Sequence, residues 1–222
     1  MNRLCILDLD GTLLDTLQDL CTSCNHALDS LGYPTHPSEQ YKFLCGRGVR
    51  NLLKGSLPQE LREDASVLSR MGELFFSHYR EHMTDFTRPY EGMPGVLERL
   101  QEKGVYLAVA SNKFHSGTVH LMEYFYPQIR FSAVLGQREG FPIKPDPRIV
   151  KEAMGKCPSI GVQDVLYVGD SDVDMQTGLS AGVRTAGALW GFRSREELQR
   201  YRPWRLLQSP LELEEAAVGQ WD

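Results

Sequence analysis

The stretch ILDLDGTLLDT, residues 6–16, carries an apolar run into two aspartates, Asp8 and Asp10, and follows them with Gly11 and Thr12. A carboxylate withdrawn from water without a partner is costly, so two of them ending an apolar strand read as ligands for a cation or as reacting groups. Similar short runs recur at LCILDL (4–9), VYLAVAS (105–111), FSAVLG (131–136), DVLYVGD (164–170) and VRTAGAL (183–189). None alternates, as expected of strands covered on both faces. Helical patterns lie between them: PGVLERLQEKG (94–104), HSGTVHLMEYFY (115–126), DPRIVKEAMGK (146–156) and VDMQTGLSAG (173–182). This alternation predicts an α/β protein with a doubly wound parallel sheet.

Residues 15–88 break the pattern. Leu17, Leu20, Cys21, Cys24, Leu28 and Leu31 fall at helical spacing, and Val67, Leu68, Met71, Leu74, Phe75, His78 and Tyr79 do so again. The expected organisation is a core of residues 1–14 and 88–222 with an inserted all-helical domain at 15–87. TRPYEGMPG (87–95), rich in Pro and Gly, reads as a hinge. An insert rooted beside the carboxyl end of the first strand lies over the place where open α/β sheets bind ligands, the position of a lid. The tail suggests a short strand around Leu206–Leu207 and a final acidic helical turn.

Composition narrows the function. The chain has 222 residues, 24 Lys+Arg against 29 Asp+Glu and a net charge of −5, which argues against a nucleic-acid scaffold but leaves room for a small anionic substrate held by local cations. No apolar stretch approaches the roughly 20 residues needed to cross a bilayer. Five cysteines form an odd set and the opening residues carry no signal-peptide pattern, so a reduced, cytoplasmic protein is expected. Cys21 and Cys24 make a C-x-x-C, but helical spacing puts both on one apolar face and no second ligand pair completes a zinc set.

Four chemistry-bearing sites fall at or near strand ends: Asp8-x-Asp10-Gly11-Thr12; Ser111-Asn112-Lys113; Lys144 in PIKPDP; and GDSDVD with Asp170, Asp172 and Asp174. In a doubly wound sheet such ends converge on one crevice. Two facing acidic clusters repel unless a divalent cation sits between them, and an all-oxygen site with few carboxylates suits Mg²⁺ together with substrate phosphate oxygens. A lysine and a hydroxyl meet the remaining phosphate oxygens. Taken singly, Asp8 with Asp10 could be a turn, Ser111-Asn112 a helix cap and Lys144 a solvated lysine; their joint occurrence at matching strand ends makes the site. Asp172 reads as a solvent-facing loop residue.

DLDGTLLDT, SNK, the lysine of IKPDP and GDSDVD resemble, in order and spacing, the four motifs of the haloacid dehalogenase superfamily, over essentially the whole chain. GRGVRNLL, PYEGMPGV and WGFRSREEL make it most similar to the phosphoglycolate phosphatase group with a small helical cap. The resemblance implies a Rossmann-like core and a Mg²⁺-dependent phosphomonoester hydrolase of a small phosphorylated metabolite. It makes Asp8 the nucleophile and Asp10 the general acid/base. Asp8, the main-chain carbonyl of Asp10, and Asp170 would hold the metal, with Asp174 supporting it. Ser111 and Lys144 would bind phosphate, and Thr12 and Asn112 would support the nucleophile loop and phosphate. Arg47 and Arg50, flanking Gly48, are either a charged helix face or the partners of a second anionic group. Pyrophosphate, nucleoside monophosphates and sugar phosphates stay open as substrates. A phosphomutase is disfavoured because no His follows Thr16 closely, a dehalogenase because Asp10 is an acid that it would not need, and a non-catalytic binding protein because Asp8, Asp10, Lys144 and Asp170 are all present.

Overall fold

A computed structural model describes residues 3–221; residues 1, 2 and 222, assigned above to the core, lie outside the described residues. In chain order the elements are β1 (Leu4–Leu7), β2 (Leu14–Asp15), α1 (Leu17–Ser30), α2 (Ser38–Tyr41), α3 (Val49–Ser56), α4 (Ala65–His82), β3 (Arg88–Pro89), α5 (Met93–Glu102) and β4 (Tyr106–Phe114). There follow α6 (His115–Phe125), β5 (Phe131–Gln137), α7 (Arg148–Gly155), β6 (Val165–Gly169), α8 (Asp172–Ala181), β7 (Arg184–Ala188), α9 (Arg195–Gln199), β8 (Arg205–Leu207) and α10 (Glu212–Val218).

Six strands form one parallel sheet in the order β5-β4-β1-β6-β7-β8. β1 sits inside it, with Ile6 opposite Ala108 on one side and Tyr167 on the other. Its run is apolar throughout because successive side chains enter two different cores. Cys5 and Leu7 pack with Val96, Leu97 and Leu100 of α5, Leu121 and Met122 of α6, and Ala216 of α10. Leu4 and Ile6 face the opposite layer, with Ile149, Val150 and Ala153 of α7. Helices on both faces make the sheet doubly wound, and this places the carboxyl ends of β1, β4 and β6 side by side.

α1 to α4 lie between β2 and β3. The α1–α4 pair buries Leu20, Cys21, Cys24 and Leu28 against Met71, Phe75 and Tyr79, the deepest positions of the predicted helical stripes, with Ala27 beside them. Cys21 and Cys24 are free, buried thiols, as their place on an apolar face predicts. Where the segment leaves and returns, Leu14 pairs with Pro89 and Asp15 with Arg88 in a short antiparallel ribbon. Two residues a side are too few for any periodicity, so the sequence shows no strand there. Asp19, in the first turn of α1, is buried and accepts from Phe86 N at 3.0 Å, Thr87 N at 2.8 Å and Thr87 Oγ1 at 2.7 Å. It ties the outgoing helix to the returning chain.

Candidate active site

β1 ends on Asp8, and the turn that follows is held by one acceptor: Thr12, Leu13 and Leu14 all donate their N–H to the Leu9 carbonyl. Gly11 opens this turn at φ +86°, and a Cβ there would stand 2.3 Å from Asp170 Oδ2. Only glycine lets the Asp8–Asp10 turn approach the end of β6 so closely. The turn presents Asp8 and Asp10 to a common cavity with Ser111, Asn112 and Lys113 from the irregular end of β4. Expected to stop at Ser111, β4 runs on to Phe114, with a register shift against β5 after Ala110.

Lys144, 2% exposed, lies beneath Asp8. Its ammonium stands 2.8 Å from Asp8 Oδ1, 2.7 Å from Asp174 Oδ1 and 2.9 Å from the Ala110 carbonyl. The contact to Asp8 is an ion pair without hydrogen-bond alignment, so Asp8 Oδ1 is a buried carboxylate oxygen without a hydrogen bond. Tyr167 of β6, fully buried, donates its hydroxyl to Asp174 Oδ1 at 3.0 Å. The other oxygen of Asp174 accepts Ser171 N–H in the capping box that starts α8. Asp170 accepts from Thr12 Oγ1 at 3.1 Å and from Phe192 N at 2.7 Å.

One ammonium thus pairs with two of three clustered buried carboxylates. Burial, then the Asp174 charge, raises the Asp8 carboxyl well above the usual carboxylate range, with Lys144 opposing. Burial and the same Asp174 charge raise Asp170 to about 7, against the pull of Phe192 N–H and Thr12. Asp8, Asp170 and Asp174 each bring a carboxylate oxygen to within 4.8 Å of the others. An excess of buried negative charge on hard oxygens, with one oxygen lacking a hydrogen bond, fits a divalent cation.

Asp10 sits across the cavity. Thr16 Oγ1 donates to its Oδ1 at 2.6 Å, and Lys113 Nζ lies 3.1 Å from the same atom. Lys113 is 5% exposed and stands over the Tyr79 ring, 4.7 Å from its centroid. Burial alone would lower its pKa, but Asp10 and Tyr79 together drive it above the ordinary lysine value.

The structure therefore brings together Asp8, Asp10, Ser111, Lys144, Asp170 and Asp174. At five other positions it shows contacts that the sequence does not specify. Thr12 is fully buried and donates to Asp170. Asn112 lines the cavity, but its amide is engaged: it donates to the carbonyls of Gly46 and Lys144 and accepts from Lys144 N. Arg47 is drawn off by Asp172, and Arg50 lines a separate groove between α3 and α4. Asp172 is buried against that arginine, where a solvent-facing residue was expected. The sequence reading quotes Lys113 in SNK and Arg193 in WGFRSREEL without giving either a role, and leaves out Tyr167. Tyr167 reads as an ordinary strand residue, and the sequence does not show that the buried guanidinium of Arg193 donates to the carbonyls of Lys42, Phe43 and Cys45.

The family model for haloacid dehalogenase-like hydrolases matches residues 5–188. A phosphoglycolate phosphatase of Aquifex aeolicus is 34% identical over 193 residues, 86% of each chain. A crystal structure from Lactobacillus delbrueckii subsp. bulgaricus superposes with a TM-score of 0.90 at 28% identity, covering 98% of this chain and 99% of its own. Another, of a predicted phosphoglycolate phosphatase from Haemophilus somnus, gives a TM-score of 0.88 at 26% identity, covering 96% and 97%. Among the described residues, no helix is long and apolar enough to cross a membrane.

Proposed function

The chain belongs to the haloacid dehalogenase-like hydrolases and is a phosphatase of that family, and we propose that it is a Mg²⁺-dependent phosphomonoesterase of a small metabolite, with 2-phosphoglycolate the leading substrate. The observation that carries this reading is the pair at the end of β1: Asp8 between Lys144 and the Asp170–Asp174 carboxylates, and Asp10 across the cavity on Lys113.

Asp8 is the nucleophile. A carboxylate oxygen attacks phosphorus, the bond to the leaving oxygen breaks, and Asp10 gives that oxygen its proton. Asp10, now a carboxylate, takes a proton from water; the water oxygen bonds to phosphorus, the bond to Asp8 breaks, and phosphate leaves. Lys144 opposes the upward pull that burial exerts on the Asp8 carboxyl. Ser111 and Lys144 meet the phosphate oxygens. Asp8, the main-chain carbonyl of Asp10, and Asp170 would hold the Mg²⁺, which when bound would supply positive charge against the transferring group. Both oxygens of Asp174 are already taken by Lys144, Tyr167 and Ser171, so its part is to fix Lys144 and add charge beside the metal.

Residues 15–87 act as the cap. Leu20, Val49 and Leu52 roof the cavity, and the space open to the centres of water-sized molecules is about 30 Å³. Five buried free thiols suit a reducing cytoplasm.

Phosphate release from 2-phosphoglycolate, pyrophosphate, nucleoside monophosphates and hexose phosphates, with Mg²⁺ and with EDTA, tests the reading. Mg²⁺-dependent preference for 2-phosphoglycolate is expected. Equal turnover in EDTA would remove the metal, and confinement to pyrophosphate would remove the substrate.

A further inference from the structure

The cavity beyond the phosphate position is apolar where α1 and α3 close it, through Leu20, Val49 and Leu52. A leaving group with a second negative charge therefore needs a cation from elsewhere. Lys144 belongs to Asp8 and the phosphate, and its ammonium also donates to Asp174, the Tyr167 hydroxyl and the Ala110 carbonyl. Arg47 is held by Asp172, and Arg50 opens on the groove between α3 and α4.

Lys113 is different. It lines the cavity, is buried, and meets a single carboxylate, Asp10, at 3.1 and 3.4 Å. The Tyr79 ring covers a second direction, 4.7 Å to its centroid. An ammonium has three donors; with one shared between the two Asp10 oxygens and one turned to the ring, the third is left for the cavity. Its position is also suited in reach. Asp10 protonates the leaving oxygen, and a carboxylate one carbon beyond that oxygen falls beside the ammonium that touches Asp10.

We infer that Lys113 is the specificity-determining cation of this site, binding a carboxylate on the leaving-group side of the phosphomonoester. This rests on the phosphomonoesterase reading above and names what selects its substrate. The assignment replaces Arg47 and Arg50 with a residue of the core strand, so the preference belongs to β4 and not to the charged face of the helical segment.

The test compares two esters with the same two-carbon leaving group, 2-phosphoglycolate and ethyl phosphate, by kcat/KM in wild type, Lys113→Met and Lys113→Arg, each checked for fold by circular dichroism. Wild type prefers the carboxylate ester. Lys113→Met loses that preference by about 10- to 100-fold, mainly through the KM for 2-phosphoglycolate, whereas Lys113→Arg keeps most of it. Any loss through disturbance of Asp10 lowers both esters alike and cancels in the ratio. An unchanged ratio in Lys113→Met, or no preference in wild type, overturns the assignment of Lys113 and leaves the phosphatase intact. Turnover of neither ester alongside turnover of pyrophosphate overturns the substrate reading itself.

Discussion

Asp8 shows how one residue is kept costly for a purpose. Replacing it by Asn keeps the shape and removes both the proposed nucleophile and one of three clustered buried carboxylates. Asp8→Asn should lower phosphate release by roughly a thousandfold or more while its melting temperature in EDTA stays level or rises; near-normal turnover would show that another group attacks. Asp170 makes a second prediction. Its carboxyl is raised to about 7 in the fold, so between the ordinary carboxylate range and pH 7 the native state binds a proton that the unfolded chain has released. Stability from this group is therefore present at low pH and lost as pH rises through 7. In EDTA, the fall in melting temperature between pH 5.5 and 8 should be shallower for Asp170→Asn than for wild type. Mg²⁺ competes with that proton, so its apparent affinity should weaken below pH 7.

At the scale of elements, the helical segment is joined to the core by the Arg47–Asp172 pair and by polar side chains that reach main-chain atoms. Asn112 on β4 reaches the Gly46 carbonyl, and Arg193 gathers carbonyls ahead of α3. Gly48, at φ +80° with Gln137 Oε1 only 3.0 Å from where a Cβ would be, lets the chain pass close to the sheet as α3 begins. At the other end, Asp19 holds the N–H groups of Phe86 and Thr87. Asp19→Ala leaves those donors without their acceptor and should cost about 2–4 kcal/mol, read as a shift in urea midpoint at constant slope. A change below roughly 0.5 kcal/mol, the range of ordinary surface substitutions, would mean that the ribbon of β2 and β3 carries the joint alone.

For the molecule as a whole, the carboxylates that would hold metal come from β1 and from the turn between β6 and α8, so they meet only once the sheet is assembled. A cation bound there ties folding to metal. Mg²⁺ at about 100 times its dissociation constant should stabilise the protein by about 2.7 kcal/mol, seen as a rise in melting temperature over EDTA. The rise should be lost in Asp170→Asn; if it is kept, the cation binds elsewhere.

The sequence by itself determined the sheet, because non-alternating runs such as LCIL and VLYVG can be covered only on both faces. It also determined which residues meet at its end, since Asp8, Ser111 and Asp170 each follow such a run, and Lys144 is marked only by its place in PIKPDP. What remained was decided by tertiary structure. Thr12, Asn112 and Asp172 have side chains that suit a ligand as well as a neighbour, and their choice of Asp170, the Gly46 and Lys144 backbone, and Arg47 depends on distances the chain sets only when folded. Arg47 and Arg50 looked like anion partners because guanidinium chemistry is legible in sequence; the direction a helix turns its arginines is not. The same holds for Lys113, whose meaning comes from lying between Asp10 and Tyr79, residues separated in sequence by 69 positions (79 − 10) and brought together where the helical segment meets the sheet.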